Sequence, residues 1–329
     1  MKAVVIARHG GPEVLEVRDV PRPDPEHGHI LVRVRASALN RADVLQRQGR
    51  YPAPPGDAQE IPGIEFAGEV AELGRGARDW RVGDRVFGII GGGAHAEYVT
   101  IHERAVARVP DELEWDGAGA VPEAFITAHD ALITQAQARP SERVLIHAVG
   151  SGVGLAAVQL ARAAGAIPYG TSRTPDKIDR TVELGLANGA VLADDVAQLV
   201  DHVDRWTDGR GMDIVLDLVG GAYVEASIAA LGARGRLMLI GTIAGGRAEL
   251  PIGVVMSKRL TIVGTVLRAR PLEEKIVATR AFAQQVVPLL ARGVVRPIID
   301  SVFSLAAIAE AHRRMESNET YGKIVIRLM

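Results

Sequence analysis

No cysteine occurs anywhere in the 329 residues. That absence excludes disulfide bridges, cysteine-ligated zinc, iron–sulfur clusters and thiol nucleophiles together. No run of 18 or more apolar residues occurs either, so nothing is expected to span a membrane. The first residues, MKAVVIARHGGPEVLEV, lack the unbroken apolar stretch of a secretion signal. Nor is there an excess of one charge: 38 Lys and Arg face 40 Asp and Glu, for a net −2. A near-neutral chain lacks the electrostatic footprint of a nucleic-acid binder. These absences predict a cytoplasmic protein without membrane or nucleic-acid partners. What is present is 47% hydrophobic and 24% charged residues, an ordinary globular balance. At ~150 residues per domain the length suggests two domains, each able to bury its own core.

The two differ in texture. Up to about residue 110 the chain reads as short strands broken by Gly and Pro: Lys2–Ala7, Ile30–Ala36, Ala67–Leu73, Arg85–Ile90 and Ala96–Thr100. ILVRVRA at 30–36 alternates apolar and charged residues, as a half-buried antiparallel strand does. A helical turn at Arg41–Gln48 leads into the proline-rich loop at 51–56. This half predicts a compact, β-barrel-like unit. Beyond it, apolar runs alternate with helical patterns. The strands are read at Arg143–His147, Ile167–Thr171, Met212–Leu218, Arg236–Ile240 and Leu260–Leu267, with helices between. Such alternation implies parallel strands joined by crossover helices. Two helical stretches and a closing strand, Lys323–Leu328, follow Arg268.

The sharpest local signal is VLIHAVGSGVG at 144–154. An apolar strand, a turn of small residues and a helix with one apolar face follow one another. A helix N-terminus presents unpaired N–H groups and partial positive charge, which suits a pyrophosphate. The pattern departs from GxGxxG, because Val149 and Ser151 stand where two of the glycines would. A glycine-rich connection without a ligand would look similar, but the flanking strand and amphipathic helix favour a nucleotide. Val149, Gly150, Ser151, Gly152 and Val153 are therefore candidate cofactor residues. An NAD site usually carries an acidic residue at the end of the next strand. Here that strand ends in Ser172-Arg173, with Lys177 one turn on, in a chain of only five lysines. Two solvated charges at a helix start are the plain alternative. Missing acid and available base together favour NADPH.

A β-rich first unit followed by this nucleotide unit resembles the medium-chain dehydrogenase/reductase superfamily, along essentially the whole chain. ALNRAD at 38–43 looks like the segment bearing the first catalytic zinc ligand of alcohol dehydrogenases, with Asn40 in the cysteine's place. PGIE at 62–65 looks like their Gly-His-Glu segment, with Ile64 replacing the histidine. The structural-zinc lobe is absent as well, which points to a zinc-independent branch. SALNRADVLQRQGRYPAPPG, GGGAHAEYV, AVPEAF-T and the closing YGKIVI resemble the quinone oxidoreductases within it. The resemblance implies an α/β fold: a doubly wound parallel-sheet Rossmann domain at 121–267, and a β-rich GroES-like catalytic domain at 1–120 completed by 268–329. It further implies NADPH bound between the domains and reduction of a quinone-type acceptor. One departure is Leu192, where relatives often carry a tyrosine near the adenine phosphate.

A quinone delocalises incoming charge, so a protein has mainly to position it. Asn40 is a candidate donor to an acceptor carbonyl, and Tyr51 a candidate to bond or stack on its ring. The plain alternatives are a helix cap for Asn40 and loop packing for Tyr51. Thr127, Gly241, Val266, Leu267 and Arg268 are further candidates for the cofactor, at a family position or at strand ends. His147, closing an apolar strand, reads as hydrogen-bonded structure, and His27 and His29 as solvated loop residues. KRLTIVGTVL at 258–267 reads as a final edge strand that a two-fold mate would cover, hence a homodimer. Two other functions fit the same features: an NADPH-dependent enoyl or enone reductase, and a non-catalytic, crystallin-like NADPH binder.

Overall fold

The computed structural model describes residues 1–192 and 195–328. In chain order its strands are β1 Lys2–Ile6, β2 Leu15–Asp19, β3 His29–Leu39, β4 Glu65–Leu73, β5 Arg85–Ile89, β6 Tyr98–His102 and β7 Val106–Arg108. They continue as β8 Arg143–Ile146, β9 Ile167–Ser172, β10 Asn188–Val191, β11 Met212–Asp217, β12 Leu231–Leu239, β13 Thr261–Gly264, β14 Ile299–Ser304 and β15 Lys323–Arg327. The chain divides into two compact units: Met1–Ile126 with the chain from Leu267 onward, and Thr127–Val266. Among the described residues no helix is long and apolar enough to cross a membrane.

In the first unit, β3 organises a sheet of order β14-β15-β3-β4-β5-β7, with β6 also paired to β3. Ile30, Val32 and Val34 of β3 pack with Phe66, Val70, Val86 and Val99 in the core. Their alternation with polar residues is why the strand was legible. The final strand β15 pairs antiparallel with β3, so the C-terminal segment completes this sheet. β14, parallel to β15, was not anticipated. Its sequence, IDSVFS, is half polar and only partly buried, so no apolar pattern marks it.

The second unit is a six-stranded parallel sheet of order β10-β9-β8-β11-β12-β13. From β8 the chain winds outward to β10, returns to β11 on the other side of β8, and winds outward again. This is the doubly wound α/β fold expected. All six strands end at one edge, and their order reverses between β8 and β11, where open α/β sheets bind ligands. The last strand is shorter than the reading at 258–267. Lys258 closes the helix Ile252–Lys258, Arg259 takes a left-handed φ of 52°, and pairing with β12 spans only Thr261–Gly264. The β-branched run extends past the residues that find a partner.

Candidate functional site

In the second unit β8 passes through His147–Gly150 into the helix Gly152–Ala163. Ser151 caps that helix, its hydroxyl accepting the Gly154 N–H at 3.1 Å. The N–H groups of Gly152 and Val153 stand at the same end, before the first intrahelical acceptor. A Cβ on Gly154 would lie 2.6 Å from the Ala148 carbonyl, so only glycine fits that approach. Val149 is fully buried, and a Cβ on Gly170 would meet its Cγ2 at 2.8 Å. Its side chain packs on β9, which is how a valine is accommodated in this turn. The turn keeps a dinucleotide cradle with Ser and Val at two expected glycine positions.

The neighbouring cations gather here. A Cβ on Gly150 would lie 2.8 Å from Lys177 Cδ, so the lysine stem crosses the cradle. Ser172 ends β9, its hydroxyl accepting the Thr174 N–H at 3.2 Å. Arg173 follows, exposed and without a hydrogen bond among the described residues. No carboxylate ends the strand, and a hydroxyl with two cations fits a 2′-phosphate. The backbone at Leu192 is held by a tyrosine from another element. From the helix Ala222–Ala230, Tyr223 donates its hydroxyl hydrogen to the Leu192 carbonyl at 3.2 Å.

Gly241 lies just past β12, where a Cβ would meet the Leu218 carbonyl at 2.4 Å. Val266 follows β13 and is exposed; Thr127 is buried in the helix Pro122–His129. Sequence reasoning did not single out Asp217, which ends β11 at the reversal point. Its Oδ1 accepts the N–H groups of Val219 and Gly220 at 2.8 and 2.9 Å and shapes the glycine turn. Beside it, burial pushes His147 down to about 4. The Ser227 hydroxyl donates to the Tyr223 carbonyl at 2.6 Å, so His147 Nε2 donates to Ser227 at 2.9 Å. Nδ1 then accepts from Thr171 at 2.8 Å. With both nitrogens engaged, His147 is a structural, neutral imidazole.

The remaining candidates belong to the first unit. Asn40 donates from Nδ2 to Glu65 Oε1 at 2.7 Å and to the Ala38 carbonyl at 3.2 Å. Its Oδ1 accepts from Lys323 Nζ at 2.6 Å. Both amide hydrogens are thus engaged inside the unit. Ile64 is buried, and among the described residues no group of three His, Cys, Asp or Glu side chains is gathered to hold a metal ion. With no cysteine in the chain, these residues do not fit a catalytic zinc.

Tyr51 is the counter-example to Asn40. Its half-buried hydroxyl makes no hydrogen bond among the described residues, and burial pushes the phenol up, so it stays a proton-bearing donor at neutral pH. Leu267 and Arg268, expected beside the cofactor, fall within this first unit. Both are buried. The Arg268 guanidinium donates to the Gly91 carbonyl at 2.7 Å, the Tyr51 carbonyl at 3.3 Å and Gln46 Oε1 at 2.5 Å. It also lies over the Tyr51 ring, 5.0 Å from the centroid. Arg268 therefore holds the Tyr51 loop, a role its sequence context did not signal.

Residues 26–111 match the alcohol dehydrogenase GroES-like domain, and residues 189–326 a model described as zinc-binding dehydrogenase. Human quinone oxidoreductase is 31% identical over 337 residues, covering 100% of this chain and 98% of that protein. The chain belongs to the quinone oxidoreductase family of the medium-chain dehydrogenase/reductases. A Pseudomonas aeruginosa quinone oxidoreductase is 33% identical and covers 99% of both chains. The structure of Escherichia coli quinone oxidoreductase complexed with NADPH matches with a TM-score of 0.87 at 26% identity, over 100% of both chains. CurK enoyl reductase matches with a TM-score of 0.86 at 26% identity, over 100% of this chain and 99% of that one. This family member is an oxidoreductase built from a GroES-like and a Rossmann unit.

Proposed function

We propose that the protein is an NADPH:quinone oxidoreductase that works without a metal. One observation carries the reading: Lys177 crosses the cradle glycine beside a strand that ends in Ser172 and is followed by Arg173, with no acid there. Bound NADPH supplies a hydride. The cradle at Val149–Val153 and the helix end behind it hold the pyrophosphate; Ser172, Arg173 and Lys177 hold the 2′-phosphate. Gly241, Val266 and Thr127 of the same unit line the rest of the cofactor's path. On the acceptor side stand Asn40 and Tyr51, and only Tyr51 has a donor to spare. Asn40 shapes the wall. A quinone oxygen that gains negative charge is stabilised by the phenolic O–H, without a Lewis acid.

NADPH should bind ten- to a hundredfold more tightly than NADH, since two charge-assisted bonds give about a hundredfold and exposure reduces it. Equal dissociation constants, unchanged in an Arg173→Ala/Lys177→Ala variant, would remove the basis for the preference. Steady-state assays with several quinones, enones and enoyl thioesters test the acceptor. Turnover confined to enoyl substrates would favour the second reading, supported by the likeness to an enoyl reductase. Turnover of none would leave an NADPH-binding protein. Chelators should not alter quinone turnover.

The same reading includes a cytoplasmic homodimer. β13 is an edge strand, and Ile243, Leu250, Ile252 and Met256 near it in sequence are exposed apolar side chains. Pairing two copies along β13 would cover such an edge. Light scattering at micromolar concentration should find twice the 35.0 kDa chain mass, and a purely monomeric species would refute the dimer.

A further inference from the structure

Lys323 opens β15 and is buried. Its ammonium meets three oxygens: Asn40 Oδ1 at 2.6 Å, Glu65 Oε1 at 2.7 Å and the Leu39 carbonyl at 3.2 Å. Two of its N–H groups donate to Asn40 and Leu39, and the Glu65 carboxylate stands beside it as an ion pair. Glu65 is fully buried, and its other oxygen accepts the Glu123 N–H at 2.8 Å. One carboxylate and one ammonium cancel in charge. They do so beside positions 40 and 64, where the resemblance places metal ligands and this chain has none. A buried ion pair gains little over well-packed apolar side chains, so stability alone does not account for a lysine here. A divalent ion brought next to the ammonium would face strong repulsion in so dry a setting.

We propose that the Lys323 ammonium is a resident cation. It takes the electrostatic post that a metal would fill in this unit, neutralises Glu65, fixes the Asn40 carboxamide and excludes divalent ions. The inference rests on the metal-independent reading and names the group that replaces the metal.

Lys323→Ala should leave three oxygens, one of them charged, facing the space of the lost ammonium. The variant is expected to melt below wild type, and millimolar methylammonium chloride or MgCl2 should recover part of the loss relative to NaCl at equal ionic strength. Wild type should not respond to either salt. Lys323→Ala/Glu65→Gln removes both charges; it should melt above the single variant and ignore both cations. A folded Lys323→Ala indifferent to both cations would overturn the assignment, as would a double variant that responds like the single one. Folding of the double variant where the single fails supports it, because only the charge on Glu65 separates them. Failure of both to fold would make Lys323 a packing residue and overturn it. Elemental analysis keeps the two ideas apart: stoichiometric zinc in wild type would sink the metal-independent reading itself.

Discussion

Acidification from about pH 7 to about pH 4.5 should cost the protein several kcal/mol of stability, through histidines more than carboxylates. His147 drops from 6.5 to about 4 through burial, against the opposing pull of Asp217. That difference corresponds to roughly 3 kcal/mol. His95 and His312 are lowered too, both first by burial; Arg47 and His95 add to the effect on His312, while Asp43 opposes it on His95. In each case the unfolded chain binds a proton at a pH where the folded chain does not. Stability is therefore full above the unfolded value near 6.5 and falls as the pH drops toward the folded value. Asp57, raised by burial, works in the opposite direction. Asp213 and Asp300, held low against burial by Arg143 and Arg314, release their contribution only at more acid pH. Urea titrations at pH 7, 6 and 5 should show the decline. His147→Gln keeps a hydrogen-bonding side chain without the titration, and should flatten the slope by up to about 1.4 kcal/mol per pH unit. The same slope in wild type and variant would remove His147 from the explanation.

What the sequence made legible was what neighbours in the chain encode. The parallel strands around β8 and β11 are short apolar runs followed by helical periodicity, so fold class and cradle could be read from 144–154 and its flanks. The cradle's departures were visible but not their reason. Val149 is explained only by Gly170 on the adjacent strand, and nothing in the structure explains the leucine at 192. The first unit was harder because its polar groups pair across the chain. Lys323 reaches Asn40 over 283 positions, and Arg268 reaches Gln46 and Tyr51 over 222 and 217. No local pattern announces such a pair. A lysine heading the apolar run KIVI, in a chain with five lysines, was the one available sign of a buried cation. The reading of Asn40 as a donor to the acceptor rested on its place at a lost zinc-ligand position and on the amide it carries. Its partners Glu65 and Lys323 come from two distant strands.

The largest effect on catalysis is expected from separating Tyr51 from Arg268. The guanidinium ties the helix Arg41–Arg47, the Tyr51 loop and the Gly91 loop through one planar group. Arg268→Met keeps the buried stem but leaves two carbonyls and the Gln46 amide oxygen short of a donor. Each loses a bond worth about 1–3 kcal/mol when a charged partner is removed. The Tyr51 loop should loosen, and quinone kcat/KM should fall roughly a hundredfold, chiefly through KM if the loop positions the acceptor. Arg268→Lys should not restore it, because a point charge cannot reproduce the fork that meets three oxygens. Tyr51→Phe keeps the ring under the guanidinium and removes only the spare hydroxyl. If that hydroxyl stabilises charge on the acceptor oxygen, the loss is about 1–3 kcal/mol, or ten- to a hundredfold in kcat/KM with kcat carrying it. Tyr51→Ala removes the ring as well and should also raise KM. Because Arg268 acts through Tyr51, the double variant Arg268→Met/Tyr51→Ala should lose little more than the worse single variant. Fully additive losses would separate the two residues, and full activity in Tyr51→Ala would place the acceptor elsewhere.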